Sequence, residues 1–200
     1  MELNGKLTKE YVDLWKSCVV RPQRRDEVDA LVKRIAANKD RYKKAGDPLG
    51  VPWHVVGVIH MLEAGGDFSK HLHNGDPLTA RTVHVPKGRP KAGRPPFKWE
   101  VSARDALVFD GLSRRKNWSL PGTLFALEQF NGFGYRKPSI NIHSPYLWSF
   151  SNQYTKGKFT SDGHFSPTAV SQQCGAAVLL KRMVALKLTK IEGAGLNGGS

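Results

Sequence analysis

The segment Val51-Pro-Trp-His-Val-Val-Gly-Val-Ile-His-Met-Leu62 constrains this chain more than any other. It is apolar nearly all round, so whatever it forms has to be buried on most sides. Val and Ile are frequent in strands, but a dozen residues is long for one, and Pro52 suits the first turn of a helix better. The segment therefore predicts a buried helix, and the rest of the chain has to build a core around it. His54 and His60 interrupt it, and it is too short to cross a bilayer, which takes roughly 18 or more apolar residues.

This helix runs into Glu63-Ala-Gly-Gly-Asp67. An acidic side chain beside so much apolar surface needs a reason, because burying it is costly unless it is paired or protonated. Desolvation by the helix and the negative helix C-terminus would both raise its pKa. A carboxyl that stays protonated near neutral pH is what a glycosidase uses to protonate a leaving oxygen. The neighbouring glycines leave room for a sugar chain. The plainer alternative is a helix-end Glu turned to water or paired with one of the 31 Lys and Arg residues.

Two further carboxylates stand out. Glu128 falls between Leu124 and Phe125 on a helical projection, which suits a second catalytic acid or a buried structural one bonded to an amide or an Arg. Asp76 lies in His71-Leu-His-Asn-Gly-Asp-Pro-Leu78, where it would hold or activate a water, or simply serve the turn. His60, His71, His73 and His84 offer no third ligand at a recognised spacing, and there is no HExxH, so no metal is expected. No Gly-x-Ser-x-Gly, Walker loop or dinucleotide fingerprint occurs, and no cofactor is expected.

Periodicity makes the remainder mainly helical. Helices are predicted over Leu7–Cys18, Arg24–Lys44, Ser102–Asp110, Pro121–Phe130 and Ser166–Leu188. Between them, residues 67–98 read as an irregular stretch, with a strand or small hairpin over Thr79–Val85 and an exposed loop over Pro86–Pro96. The fold class is mainly α with a small β-hairpin or loop region after the Glu63 helix. A single domain is expected over 1–195: N-terminal helices over 1–48, a cleft-forming core over 49–165 and a C-terminal helix over 166–190. Residues 196–200 read as a flexible tail. Cys18 and Cys174 are read as two buried free thiols, with a disulfide as the alternative.

The net charge of +14 and a pI near 10 predict attraction to polyanions. No finger, RNP-type or basic-zipper motif accompanies the charge, so specific nucleic-acid recognition is not expected. The first twenty residues carry Glu2, Lys6, Lys9, Glu10 and Asp13 where a signal peptide would be apolar. Synthesis in the cytoplasm is expected, with action on the wall or periplasm after release.

Glu63 at the end of a buried helix, followed thirteen residues later by Asp76 in Asn-Gly-Asp, resembles the goose-type lysozymes and soluble lytic transglycosylases of the lysozyme superfamily. Phe130-Asn-Gly-Phe-Gly-Tyr135 looks like a variant of that superfamily's cleft-lining motif. The stretch from Trp53 to Tyr154, with LEAGGDF, HNGDPLTARTVHVP, LEQFNGFGYR and SPYLWS, is similar to a group of uncharacterised bacterial and phage lysozyme-family proteins. Two features depart from the pattern: Ala64 stands where transglycosylases usually have Ser, and no Gly-Leu-Met-Gln stretch follows the turn.

The resemblance implies a lysozyme-like helical domain and a monomeric, endolysin-like muramidase cleaving the MurNAc–GlcNAc bond. Glu63 would be the general acid, Asp76 or Glu128 the water-placing group, and Asn131, Tyr135, Tyr146 and Trp148 the substrate-binding residues. The partner implied is peptidoglycan, with outer-membrane lipopolysaccharide reached through the basic surface. A lytic transglycosylase, a chitinase-like hydrolase and a non-enzymatic basic binding protein stay open as alternatives.

Overall fold

The computed structural model describes residues 1–161 and 163–195; the segment read as a tail, 196–200, lies outside the described residues. Among the described residues there are eight α-helices and one two-stranded antiparallel hairpin, the mainly helical class that periodicity predicts. None of these helices is long and apolar enough to cross a membrane. The chain divides into two compact units, Lys33–Asn117 and a second made of Met1–Val32 with Trp118 onward.

In the unit Lys33–Asn117, helices α3 (Lys39–Gly46), α4 (Trp53–Ala64) and α5 (Trp99–Phe109) pack together, α3 against both others. Pro52 caps α4, and every residue from His54 to Leu62 is buried. Gly57 explains how close the packing is, since a Cβ there would lie 2.6 Å from an Ile35 methyl and 3.0 Å from the Tyr42 ring. Gly65 ends the helix at φ 59°, its N–H on the Met61 carbonyl, while Gly66 N–H closes on His60 O.

The helix predicted over Arg24–Lys44 is two, α2 (Arg25–Ala37) and α3, broken at Asn38. The Asn38 side chain donates to Arg34 O at 2.9 Å, competing with the backbone ladder. Ile35 in α2 and Tyr42 and Ala45 in α3 are all buried. Ser102 does not cap α5: it is buried inside the helix, which starts at Trp99. Residues 79–85 form no strand. Val83 and His84 N–H close on the Asp76 side chain, and Thr82 pairs with Gly88 and Arg89 in a tight turn.

In the other unit, α1 (Gly5–Ser17) packs on α6 (Leu120–Asn131), and α6 meets α7 (Pro145–Trp148) and α8 (Ala176–Ala185). Asn4 caps α1 through Leu7 N–H, and Pro121 occupies the first turn of α6. Tyr11, Trp15, Leu124, Leu127, Leu147, Trp148, Leu180 and Met183 fill the core. Strands β1 (Lys158–Ser161) and β2 (His164–Ser166) pair Phe159 with Phe165.

The C-terminal helix is shorter than the predicted Ser166–Leu188. Helix α8 begins only at Ala176, after Gly175 in extended backbone, which sits so close under Leu147 that a Cβ would lie 2.3 Å from its carbonyl oxygen. Ser166 belongs to β2, and Val170 is exposed. Cys18 and Cys174 are both buried free thiols, and burial pushes both up from the usual thiol range.

Candidate functional site

Glu63 occupies the last turn of α4. From His54 to Ala64 it alone escapes full burial, so its side chain emerges half-covered from a helix otherwise sealed in the core. Beneath it, His60 is locked between Tyr42 Oη at 3.1 Å and Asp67 O at 3.1 Å, amid the rings of Phe68 and Trp99. Burial lowers the His60 pKa to about 4, so the imidazole is neutral and Nε2–H donates to the Asp67 carbonyl.

The Asn74-Gly75-Asp76 turn packs on the end of this helix. At Gly75 (φ 78°) a Cβ would come within 2.8 Å of Glu63 O, so only glycine allows the approach. The turn is closed by His71 N–H to Asp76 O at 2.7 Å and Gly75 N–H to His71 O at 2.9 Å. Thus the backbone of the turn that carries Asp76 lies against the backbone of the residue read as the general acid.

The Asp76 carboxylate itself is heavily engaged. Oδ2 accepts Val83 N–H at 2.8 Å, His84 N–H at 3.0 Å and Asn74 Nδ2 at 3.1 Å; Oδ1 accepts His84 Nδ1 at 2.6 Å. Only 6% of the residue is exposed. Burial would raise its pKa, but the His84 and Val83 donors outweigh that and hold it at about 2. At neutral pH this is an ionised group organising a loop.

The other histidines have separate partners. The His71 ring accepts from Ser102 Oγ at 2.6 Å and donates to Ala80 O at 2.8 Å, whereas His73 meets Asp105 at 2.8 Å. Among the described residues no group of three His, Cys, Asp or Glu is placed to hold a metal ion.

The remaining candidates lie in the other unit. Glu128, 1% exposed, receives Tyr11 Oη at 2.5 Å and a two-pronged contact from Arg136 at 2.9 and 2.8 Å. Arg136 also reaches Glu10 at 2.8 Å. The arrangement matches the structural alternative for Glu128, a buried acid tied to an Arg. Burial raises the Tyr11 pKa, with the Glu128 carboxylate adding to it, so the phenol stays a donor.

Asn131, the last residue of α6, is exposed and borders a groove of ≈ 360 Å³ with Tyr135, Phe159 and Thr160. Tyr135 Oη accepts Phe159 N–H at 3.1 Å, and its ring meets Phe159 edge to face. Tyr146 is half-buried. Trp148, 1% exposed, faces protein, so it backs the wall of a neighbouring ≈ 670 Å³ pocket rather than offering an open ring face.

Sequence reasoning missed His84, Asn74 and Arg136 as organisers. Thr-Val-His-Val alternates like a strand, and nothing in the order of residues pairs His84 with Asp76. Arg136 carried a signal, because a buried Glu128 needs a cation and Arg136 follows the same helix within eight residues. No family model, curated protein or solved structure matches this chain.

Proposed function

We propose that the chain is a peptidoglycan-cleaving glycosidase in which Glu63 protonates the oxygen between N-acetylmuramic acid and N-acetylglucosamine. The observation that carries this reading is the seating of the Asn74-Gly75-Asp76 turn on the end of the Glu63 helix, through a contact that only glycine permits. Glu63 emerges half-covered from the end of a helix that is otherwise buried, and general acid catalysis needs a carboxyl that can reach the leaving oxygen.

Within this reading, the Asp76 geometry favours the transglycosylase variant over hydrolysis. Four donors occupy its carboxylate, leaving it poorly placed to activate a water. The muramyl 6-hydroxyl would then attack C1 as the C1–O bond breaks. Glu63 gives its proton to the leaving oxygen and takes the one the hydroxyl loses. Purified sacculi provide the test. Glu63→Gln should abolish clearing while leaving the fold intact, and a fully active variant sinks the assignment. Mass spectrometry of the fragments should find 1,6-anhydro ends; reducing ends would return the reading to a muramidase.

A further inference from the structure

Between Pro77 and Trp99 the chain has six Lys and Arg residues and no Asp or Glu. Part of this segment is a rigid knuckle. Thr82, buried, donates its N–H to Arg89 O at 2.9 Å and its hydroxyl to Pro86 O at 2.5 Å. It accepts Arg89 N–H at 2.9 Å on that hydroxyl and Gly88 N–H at 2.8 Å on its carbonyl. From the other side, Asp76 grips Val83 N–H and His84 N–H.

The knuckle presents apolar side chains to solvent. Val83 is 61% and Val85 81% exposed. Lys87 is exposed on the same turn, and Lys91 Nζ lies 3.6 Å from the position a Cβ would take on Gly88. Arg89 stacks 4.7 Å over Phe109, itself 49% exposed, which widens the apolar surface. Of the nearby acids, Asp105 is engaged by Arg89 and His73, Asp76 by His84, and Asp110 is half-buried within reach of the Arg89 charge.

Holding β-branched side chains out in water is unfavourable, and a hydrogen-bonded scaffold that does so points to a partner. Cations beside apolar tips match an anionic bilayer, which attracts the first through its headgroups and the second through its acyl boundary. A single-stranded nucleic acid would be served by free stacking rings; here Arg89 covers a face of Phe109, Asp76 holds His84, and the valines offer none.

We propose that the Thr82–Arg89 knuckle is a docking surface for an anionic lipid bilayer, with Val83 and Val85 at the acyl boundary and Lys87 and Lys91 on headgroup phosphates. No part of this uses Glu63, so it stands or falls apart from the glycosidase reading. The test is co-sedimentation of the full chain with vesicles of phosphatidylglycerol and phosphatidylcholine, or of phosphatidylcholine alone. The chain should bind the anionic vesicles and not the neutral ones. Val83→Ser with Val85→Ser should weaken binding at least tenfold, and Lys87→Gln with Lys91→Gln about thirtyfold. All four positions are exposed, and circular dichroism should read unchanged helicity. Absence of binding to anionic vesicles overturns the proposal. So does a valine pair that makes no difference while inorganic polyphosphate competes fully, since that describes a polyanion surface without lipid.

Discussion

At Gly75 a single hydrogen separates two backbones. Replacing it with Ala puts a methyl 2.8 Å from Glu63 O and forces a side chain to φ 78°. Strain of this kind costs of order 1–3 kcal/mol. Urea unfolding of Gly75→Ala should show that loss, and on the glycosidase reading sacculus clearing should fall further than the lost folded fraction explains. Asp76 permits a sharper experiment. Its pKa of about 2 lies below the ordinary value of about 3.9, so its bonds stabilise the fold fully above pH ~4. That stability disappears as pH falls through 4 toward 2. Asp76→Asn should therefore cost about 2 kcal/mol at pH 7 and almost nothing at pH 2, as read by urea unfolding at both pH values. A penalty independent of pH would mean that loop shape, and not the ionised carboxylate, holds the turn.

Helices were legible where composition left one choice. Pro52 with an all-apolar run specified α4, and Pro121 with Leu124 and Phe125 specified α6. The break at Asn38 was hidden because both halves carry the same charged pattern, and Ile35 and Tyr42, two turns apart, would share one face of an unbroken helix as well. The start of α8 was hidden for another reason: Gly175, in extended backbone, sits under Leu147, a residue distant in sequence. The carboxylates divide in the same way. The setting of Glu63 at a helix end could be read directly, whereas the role of Glu128 depends on Arg136 and Tyr11 reaching it across elements. That network ties α1, α6 and the Tyr135 turn together. Arg136→Met would leave Glu128 buried with Tyr11 alone, and should cost about 3–5 kcal/mol. Glu10→Gln removes only the part-exposed end of the chain of contacts and should cost less than about 1 kcal/mol. Chemical denaturation of the two variants decides this, and equal losses would mean that the Glu128 pair is not the stabilising one.

Over the whole molecule, the charge of +14 was legible at once, while the division into two units was not, because Lys33–Asn117 interrupts a unit built from both ends of the chain. The division separates the acid-sensitive groups. His54 and His60 both belong to Lys33–Asn117, and burial lowers each pKa to about 4. The unfolded chain protonates both near 6.5, so it binds protons first as pH falls. Both groups then contribute stability that is complete above pH ~6.5 and lost between there and about 4, on the order of 3 kcal/mol each. Burial lowers His73 as well, and Asp76 adds its loss at lower pH. Among the described residues, none of His54, His60 and His73 belongs to the other unit. A two-dimensional ¹H–¹⁵N NMR titration from pH 7 to pH 4 should therefore show the cross-peaks of residues 33–117 losing dispersion first, while those of α1, α6 and α8 persist. If α1 and α6 lose their dispersion first, the buried histidines are not what limits this protein in acid.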